Sequence, residues 1–557
     1  MKYFNRKERE DNLTLCTLSG TNETGGRNCN YIEYKGDILI IDAGFSFPGQ
    51  EMYGIDYLIP NMKELKAKKK HIKGILLTHG HLDHIGAIPY IIEDLGFPTI
   101  YGGPFGLAIL KEKLEEKGLD KKVKFVEINK TSNFKISNFN IQYITTTHSI
   151  PDSYSIYVST PAGTIFFSGD YKIDEELMDV EAMKALKGKV DVALYDSTNV
   201  YREGRALAES IAVQTTRDII KNHKGRVIVA AFASLVTRLA SVIKIAQETG
   251  RKVVLSGRSL HTTIRVARQY KYIDVPDDIF VPEFSIGKYP DDKILILSTG
   301  SQGERYAALN RLAMREHKYL KAKPGDLVIM SASEVPGNGE KIEKMTDGLI
   351  TQGIELINNS EASVHSSGHG LKEDMKILND MIQPKYIMPV HGSLTYRYQG
   401  KKNYVKWGHD PNKVMLTEDG QTWVISKGEV RRGVKVESKP ILIDGLGVGD
   451  TGDIVLKDRA QLAEYGMFII VMNLNQRDKR FMSRPRFVSR GFVYMKTSQK
   501  LLKEIETICM DTHREWMDKW KKRKASEDDL IAEIERRTRK YIYKLTEREP
   551  IILPVIV

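Results

Sequence analysis

The chain has 557 residues, enough for about two to four domains with substantial cores. Its 84 Lys and Arg exceed its 72 Asp and Glu by 12, an excess that favours a polyanionic partner such as nucleic acid; the charges are mixed along the chain, so any basic track must be assembled by the fold. No apolar run reaches membrane-span length, the start Met1-Lys2-Tyr3-Phe4 lacks a signal core, and Cys16, Cys29 and Cys509 show no zinc-site spacing. These features point to a soluble cytoplasmic protein with isolated buried thiols, and away from a membrane or disulfide-stapled one.

From Leu13 to about Tyr195, short strand-like runs alternate with loops and a few helices. Tyr31 to Ile41 is strand material ending in Asp42-Ala43-Gly44. Ile75-Leu76-Leu77 reads as a buried strand that delivers His79-Gly80-His81-Leu82-Asp83-His84, and Ile85-Gly86-Ala87 as a helix start. Asn140 to Thr146 stops just before His148, Gly163 to Ser168 just before Gly169-Asp170, and Val192 to Tyr195 just before Asp196. Strands that each deliver a polar residue at the C-terminal end are how layered α/β enzymes build sites. From about Ala206 to Gln352, longer helical segments alternate with near-continuous apolar strands, which predicts a parallel sheet. It is expected as a domain over residues 206–354, inserted into a first domain whose two parts cover 1–205 and 355–435. Residues 436–460 include Asp444-Gly445-Leu446-Gly447-Val448-Gly449-Asp450, which lacks the Lys-Ser/Thr ending of a phosphate loop and a clear helix behind it, and read as a linker or turn. Residues 461–557 read as a small α+β domain. Its strands are Met467 to Met472, Phe492 to Met495 and Pro550 to Val557; its helices are Ser498 to Trp520 and a second, N-capped by Ser526, reaching Leu545.

His79 and His81 are two apart, so in an extended segment both face one side and can share a cation. Asp83 and His84 follow the turn and can face a second. Asp170 is the natural bridging carboxylate, His148 completes the first set, and His391, in Pro389-Val390-His391-Gly392, completes the second. Imidazole with carboxylate suits zinc and manganese, so two divalent ions per chain, Zn2+ and/or Mn2+, are expected. Asp42 reads as a structural carboxylate that braces the ligand loops.

In this order and context the His79-x-His81-x-Asp83-His84 motif, His148, Asp170 and His391 resemble the metallo-β-lactamase-fold hydrolases. The inserted domain resembles the β-CASP insertion of that superfamily's nucleases: Asp196 in Asp196-Ser197-Thr198-Asn199 matches its first motif, His369 in His365-Ser366-Ser367-Gly368-His369 its second, and His391 its third. Gly300-Ser301-Gln302-Gly303-Glu304, Pro336-Gly337-Asn338 and the ending Glu547-Arg548-Glu549-Pro550-Ile551-Ile552 are similar to bacterial ribonuclease J, and the resemblance covers nearly the whole chain. It implies an α/β fold: a metallo-β-lactamase αββα sandwich, an inserted β-CASP α/β domain and a small C-terminal α+β domain that promotes dimerisation. Three places depart from the family's pattern: the segment Leu18 to Asn28, Leu235 where an Asn is usual, and Glu334 near a loop expected to meet RNA. None is a metal ligand.

The resemblance implies a metal-dependent ribonuclease with 5′-to-3′ exonuclease and endonuclease activity on single-stranded RNA, acting in RNA maturation and mRNA decay. A hydroxide between two cations attacks phosphorus and leaves 5′-phosphates. Asp83 orients it, His369 relieves the leaving oxygen and Asp196 orients His369. Ser234, Ser367, Gly368 and His369 are the implied holders of the terminal phosphate. Arg202, Arg205, Arg258, Arg265 and Arg268 are candidates for an RNA channel. Implied partners are single-stranded RNA, a second copy in a homodimer or higher homo-oligomer, and a ribonuclease J paralogue or other RNA-degradation proteins, with no membrane. The alternatives are a non-catalytic RNA-binding subunit of an active paralogue and a β-CASP nuclease acting on DNA.

Overall fold

The computed structural model describes residues 11–557 except 50, 336, 446, 450, 494–497 and 523. The chain forms two compact units. The first runs to Ser46 and resumes from Ile59 to Pro440; the second comprises Phe47–Leu58 and Ile441–Val557.

Two sheets pack face to face in the first unit. One has eight strands in the order Glu429–Lys435, Gln421–Ser426, Leu13–Ser19, Cys29–Tyr34, Asp37–Ile41, Ile72–Leu76, Ile100–Gly102 and Phe125–Glu127. The other has six: Tyr386–Val390, Val192–Asp196, Gly163–Phe167, Tyr154–Thr160, Phe139–Thr145 and Ser132–Ile136. Leu15, Ile32, Leu39 and Leu76 of the first meet Ile141, Ile156, Val192 and Met388 of the second in one apolar core. The period of two then sorts Val192–Asp196: Val192 and Leu194 face that core, whereas Ala193 and Tyr195 face the helices Lys372–Ile382 and Leu394–Lys406. Both faces are buried, so this strand reads as a continuous apolar run.

The direction of the strands explains the site. Asp37–Ile41 and Ile72–Leu76 are parallel, as are Gly163–Phe167, Val192–Asp196 and Tyr386–Val390. Phe139–Thr145 is antiparallel to Tyr154–Thr160, which is antiparallel to Gly163–Phe167, so it points the same way as the last three. These strands therefore deliver Asp42, the His79–His84 segment, His148, Asp170, Asp196 and His391 as they end.

The inserted segment forms the expected parallel sheet, ordered Lys252–Ser256, Ile294–Ser298, Val227–Ala230, Leu327–Met330 and Glu355–Ile357. Val227 and Val229 pack with the helices Val236–Glu248 and Arg258–Gln269, while Ile228 and Ala230 pack with Ala308–Ala313 and Gly339–Ile350. Phe105, Ala108 and Ile150 of the sandwich join the first of these cores.

In the second unit, Met467–Met472 pairs antiparallel with Arg486–Arg490 and parallel with Ile551–Ile556. Phe468, Ile470 and Met472 on one face meet Ile505, Cys509, Trp516, Leu530, Ile534 and Ile542 of the helices Gln499–Lys521 and Glu527–Thr546. Ser526 closes a capping box with Asp529, as its position predicts. Two expectations need correction. The strand placed over Phe492 to Met495 lies earlier, at Arg486–Arg490, where Phe487 and Ser489 alternate with Arg486, Val488 and Arg490; Tyr494 and Met495 are outside the described residues. The Gly-rich stretch does have a helix behind it, Asp453–Tyr465, after a short hairpin of Ile441–Asp444 and Gly447–Val448. Leu446, Asp450 and Pro336 lie outside the described residues. Cys16, Cys29 and Cys509 are free and buried.

Candidate metal centre and the groups around it

Gly80 and Gly106 explain how the His79–His84 segment fits. A Cβ on Gly80 would stand 2.7 Å from the Gly106 Cα, so only two glycines let the loop cross the helix Pro104–Glu115 this closely. The chain then turns into the short helix Leu82–Ile85, which carries Asp83 and His84. Asp42, in the left-handed conformation at φ 59°, braces the loop as expected. Its carboxylate accepts the Thr78 N–H and hydroxyl, each at 2.8 Å, and the His84 Nδ1–H at 2.8 Å.

Two complete donor sets share one carboxylate. His79, His81, His148 and Asp170 form the first; Asp83, His84, Asp170 and His391 form the second, with the donor atoms of each set within 4.8 Å of one another. All seven residues of the sequence-derived ligand set thus meet at one edge of the sandwich, delivered by strands of both sheets.

Hydrogen bonds behind the rings assign the protons. His148 Nδ1 donates to the Gly368 carbonyl at 2.6 Å, and His79 Nδ1 donates to the Thr78 hydroxyl at 3.0 Å, since that hydroxyl already donates to Asp42. Both rings therefore present Nε2 lone pairs, each 3.1 Å from His81 Nδ1. His81 Nδ1 carries at most one proton, so it leaves at least one of the two Nε2 lone pairs without a donor at hydrogen-bond distance. A cation removes that conflict, and the donor set fits zinc or manganese. Burial pushes His79 and His148 well below the ordinary imidazole value and His81 down to about 4, which keeps all three neutral at pH 7, as ligands must be.

The second set is more anionic. Burial opposes a charge on His84 and His391, yet Asp170 and its neighbouring carboxylates hold both well above the usual value, so without a cation each keeps a proton. His84 Nε2 lies 3.3 Å from Asp170 Oδ2 and His391 Nε2 lies 3.3 Å from Asp83 Oδ2. Asn28 Nδ2 reaches His84 Nε2 at 3.0 Å, so the departing Leu18–Asn28 segment still contributes a group at this end.

Asp196 and His369 sit beside the second set. His369 Nδ1 and Asp196 Oδ2 are 2.7 Å apart, which aims Nε2 inward, 4.0 Å from Asp170 Oδ2. Burial lowers the basicity of His369, but Asp196 and Asp170 outweigh it and raise its pKa. Sequence reasoning missed Thr198. Its hydroxyl donates to Asp196 Oδ1 at 2.6 Å and accepts from His391 Nδ1 at 2.9 Å, so one side chain orients both motif residues. The Asp-Ser-Thr-Asn spacing was the available signal, since a hydroxyl two residues past a strand-end Asp can fold back onto it.

Ser367 accepts from Asn199 Nδ2 at 3.0 Å and from the His369 N–H at 3.1 Å. Gly368 leaves no room for a side chain: a Cβ would lie 2.8 Å from His148 Cε1. Ser234, half-buried, opens the turn before Val236–Glu248, and its hydroxyl makes no hydrogen bond among the described residues. Leu235 is buried in the inserted domain's core and, with Thr237, lines a cavity of about 280 Å³ that His148, Ser149 and Ser366 line from the other side. Thr146 and Thr147 also line it and have buried hydroxyls without partners among the described residues. Buried Lys172 donates to Ser366 at 2.8 Å and lies 3.5 Å from Glu209, which holds buried Arg238. Glu334 is exposed. Of the five candidate channel arginines, Arg205, Arg265 and Arg268 are ion-paired, to Asp374 and Glu175, to Glu112 and to Asp277. Arg202 and Arg258 are exposed without a carboxylate partner among the described residues.

Two face-packed sheets with paired His/Asp donor sets at one edge, and a parallel-sheet domain inserted between the two parts of the sandwich, define a metallo-β-lactamase fold with an inserted α/β domain. Family models agree: the metallo-beta-lactamase superfamily matches residues 23–215, the ribonuclease J beta-CASP domain 224–349 and the ribonuclease J C-terminal domain 454–557. The chain is 33% identical over 560 residues to ribonuclease J 2 of Staphylococcus epidermidis RP62A and 34% identical to ribonuclease J 2 of Staphylococcus aureus MRSA252, each covering 99% of both chains. It belongs to the ribonuclease J family. A solved protein of unknown function from Enterococcus faecalis V583 shares the fold over 74% of this chain and 100% of its own, with a TM-score of 0.53 and 15% identity. No helix among the described residues is long and apolar enough to cross a membrane.

Proposed function

We propose that this chain is a metal-dependent ribonuclease that degrades single-stranded RNA from a 5′-monophosphate end and also cuts internally, leaving 5′-phosphates. The observation that carries this reading is Asp170, shared by two complete donor sets with the Asp196–His369 pair beside it. His79, His81, His148 and Asp170 would hold one divalent ion, and Asp83, His84, Asp170 and His391 the other. When bound, two such ions supply Lewis acidity toward the phosphate and a nucleophilic water at neutral pH.

The chain's own residues do the rest. Asp83 would accept a hydrogen bond from the attacking water and so orient it toward phosphorus. His369 donates from Nε2 to the departing 3′ oxygen, and Asp196 holds the ring in the donating orientation and stabilises its charge. Ser234, Ser367, Gly368 and His369 are assigned to the terminal phosphate, with Gly368 acting through His148, whose ring its carbonyl anchors. The domain boundaries 1–205, 206–354, 355–435 and 461–557 serve as the working division, and the C-terminal domain is assigned to homodimerisation. Three free buried thiols suit a cytoplasmic setting among other RNA-degrading proteins.

The test is cleavage of one single-stranded RNA bearing a 5′-monophosphate, 5′-triphosphate or 5′-hydroxyl, with manganese or zinc, beside the same sequence as DNA. Mononucleotide release from the monophosphorylated RNA is expected, with slower internal cuts in the others. Binding without cleavage would replace this reading with a non-catalytic RNA-binding subunit, and preference for DNA would replace the substrate.

A further inference from the structure

We propose that Tyr201, Tyr396 and Tyr398, with Arg202, Lys401 and Lys402, form a stacking platform for single-stranded RNA on the rim of the metal centre. The proposal rests on the ribonuclease reading for its substrate, but on separate residues. The helix Leu394–Lys406 starts three residues after His391 and contains no acidic residue. Arg397, Gly400, Asn403 and Tyr404 form its buried face, with Arg397 bonded to the Gly392 carbonyl at 2.9 Å, which ties the helix to the His391 loop. Leu394, Tyr398 and Lys402, spaced by four, form one ridge of the opposite face. Leu394 is 60% exposed and Tyr398 53%, and the Lys402 ammonium stands 5.3 Å from the Tyr398 ring centroid.

A second aromatic joins from another loop. Tyr201, five residues after Asp196, is 51% exposed, and its ring meets Tyr396 edge-on at 5.2 Å. Its hydroxyl donates to the Thr395 carbonyl at 3.4 Å, which fixes it against the helix. The two loops that carry His391 and Asp196 into the centre therefore continue outward into the same aromatic surface.

Charge selects the occupant. Among the described residues Arg202, Lys401 and Lys402 have no carboxylate partner, and the neighbouring Glu203 is held by Lys372 at 2.6 Å. Exposed tyrosine faces interleaved with unpaired cations match a strand whose bases stack and whose phosphates need neutralising. An apolar protein surface would find a single leucine here. None of these residues lines the cavity beside His148; the platform adjoins the His391 end of the centre and the cavity its His148 end. The two ends suit an enclosed terminal nucleotide and an open strand.

The experiment measures binding by the full chain, in chelator, of a 5′-monophosphorylated single-stranded RNA of about ten nucleotides, a span such platforms accommodate. Tyr398→Ala should weaken binding roughly 5- to 100-fold, while Tyr398→Phe stays within about twofold, because stacking needs the ring and not the hydroxyl. The double change Lys401→Ala, Lys402→Ala should lower the salt slope by about 1.4, two phosphates at about 0.7 each. Cleavage of a 5′-monophosphorylated dinucleotide with manganese should match wild type in all of them. Wild-type affinity and salt slope in Tyr398→Ala and the lysine double variant would overturn the platform, as would loss of a protein partner with RNA binding intact. RNA binding by wild type without cleavage would instead overturn the ribonuclease reading and leave the platform standing.

Discussion

The sandwich and the inserted domain both end parallel strands at one edge, yet they use those ends differently. The sandwich places ionisable groups there: His79, Asp170, Asp196 and His391 are all buried where strands stop. The inserted sheet ends in small neutral groups, Ser256, Ser298 and Ser331, also buried. At the opposite edge a buried ion pair braces the sheet, where Arg226 Nε meets Asp326 Oδ1 at 2.7 Å just before Val227–Ala230 and Leu327–Met330 begin; the buried cation at the strand-end side, Arg238, comes from a helix and donates to Ser331 at 2.6 Å. Charge at the strand ends of the sandwich builds a site; charge at the strand starts of the inserted sheet holds a fold. Burying an ion is costly in both, and only the pairing or a bound cation offsets it.

Breaking the charges tests this contrast. His81→Ala removes the donor that stands between His79 and His148 and should cut RNA hydrolysis at least about 10³-fold, beyond the usual effect of losing one electrostatic stabiliser, with the unfolding midpoint little changed. Steady-state cleavage beside a denaturation curve separates the two readouts. Asp326→Ala should do the reverse: Arg226 is left buried and unpaired, destabilising the protein by about 3–5 kcal/mol in urea unfolding, while activity per folded molecule stays near wild type.

Finer changes sharpen it. Thr198→Val leaves His391 and Asp196 in place but removes the hydroxyl that orients both, so manganese affinity should fall about 10- to 100-fold by calorimetric titration. Gly368→Ala pushes a methyl against His148 and should lower activity more than stability. Ser256→Ala, at the inserted sheet's neutral edge, leaves His317 Nε2 without its 3.1 Å partner and should cost about 1 kcal/mol of stability with no change in cleavage.

That these donor residues would come together was legible because short-range spacing carries it. His79, His81, Asp83 and His84 lie within one turn after an apolar strand, and Asp170 and His391 each follow a buried run and a local turn signal. Strand identity was legible for the same reason, since strands buried on both faces are unbroken apolar runs. What escaped depends on contacts between distant positions. Nothing local to Gly80 or Gly106 announces that their backbones touch, and nothing around Leu235 separates a core anchor from a pocket residue. The Arg486–Arg490 strand was missed because its pattern is mixed, with Val488 exposed and Ser489 buried, while Phe492 nearby offered a stronger apolar signal. The helix Asp453–Tyr465 has no buried residue, so it shows little of the apolar stripe by which helices are recognised.

The central claim is that two cations share Asp170. Metal content per chain, measured by mass spectrometry after saturation with manganese or zinc and removal of excess, tests it most directly. Wild type should retain two ions, His81→Ala should lose the first set's ion selectively, and Asp170→Ala should lose both. One ion in wild type, or two retained by Asp170→Ala, would contradict the shared-carboxylate account.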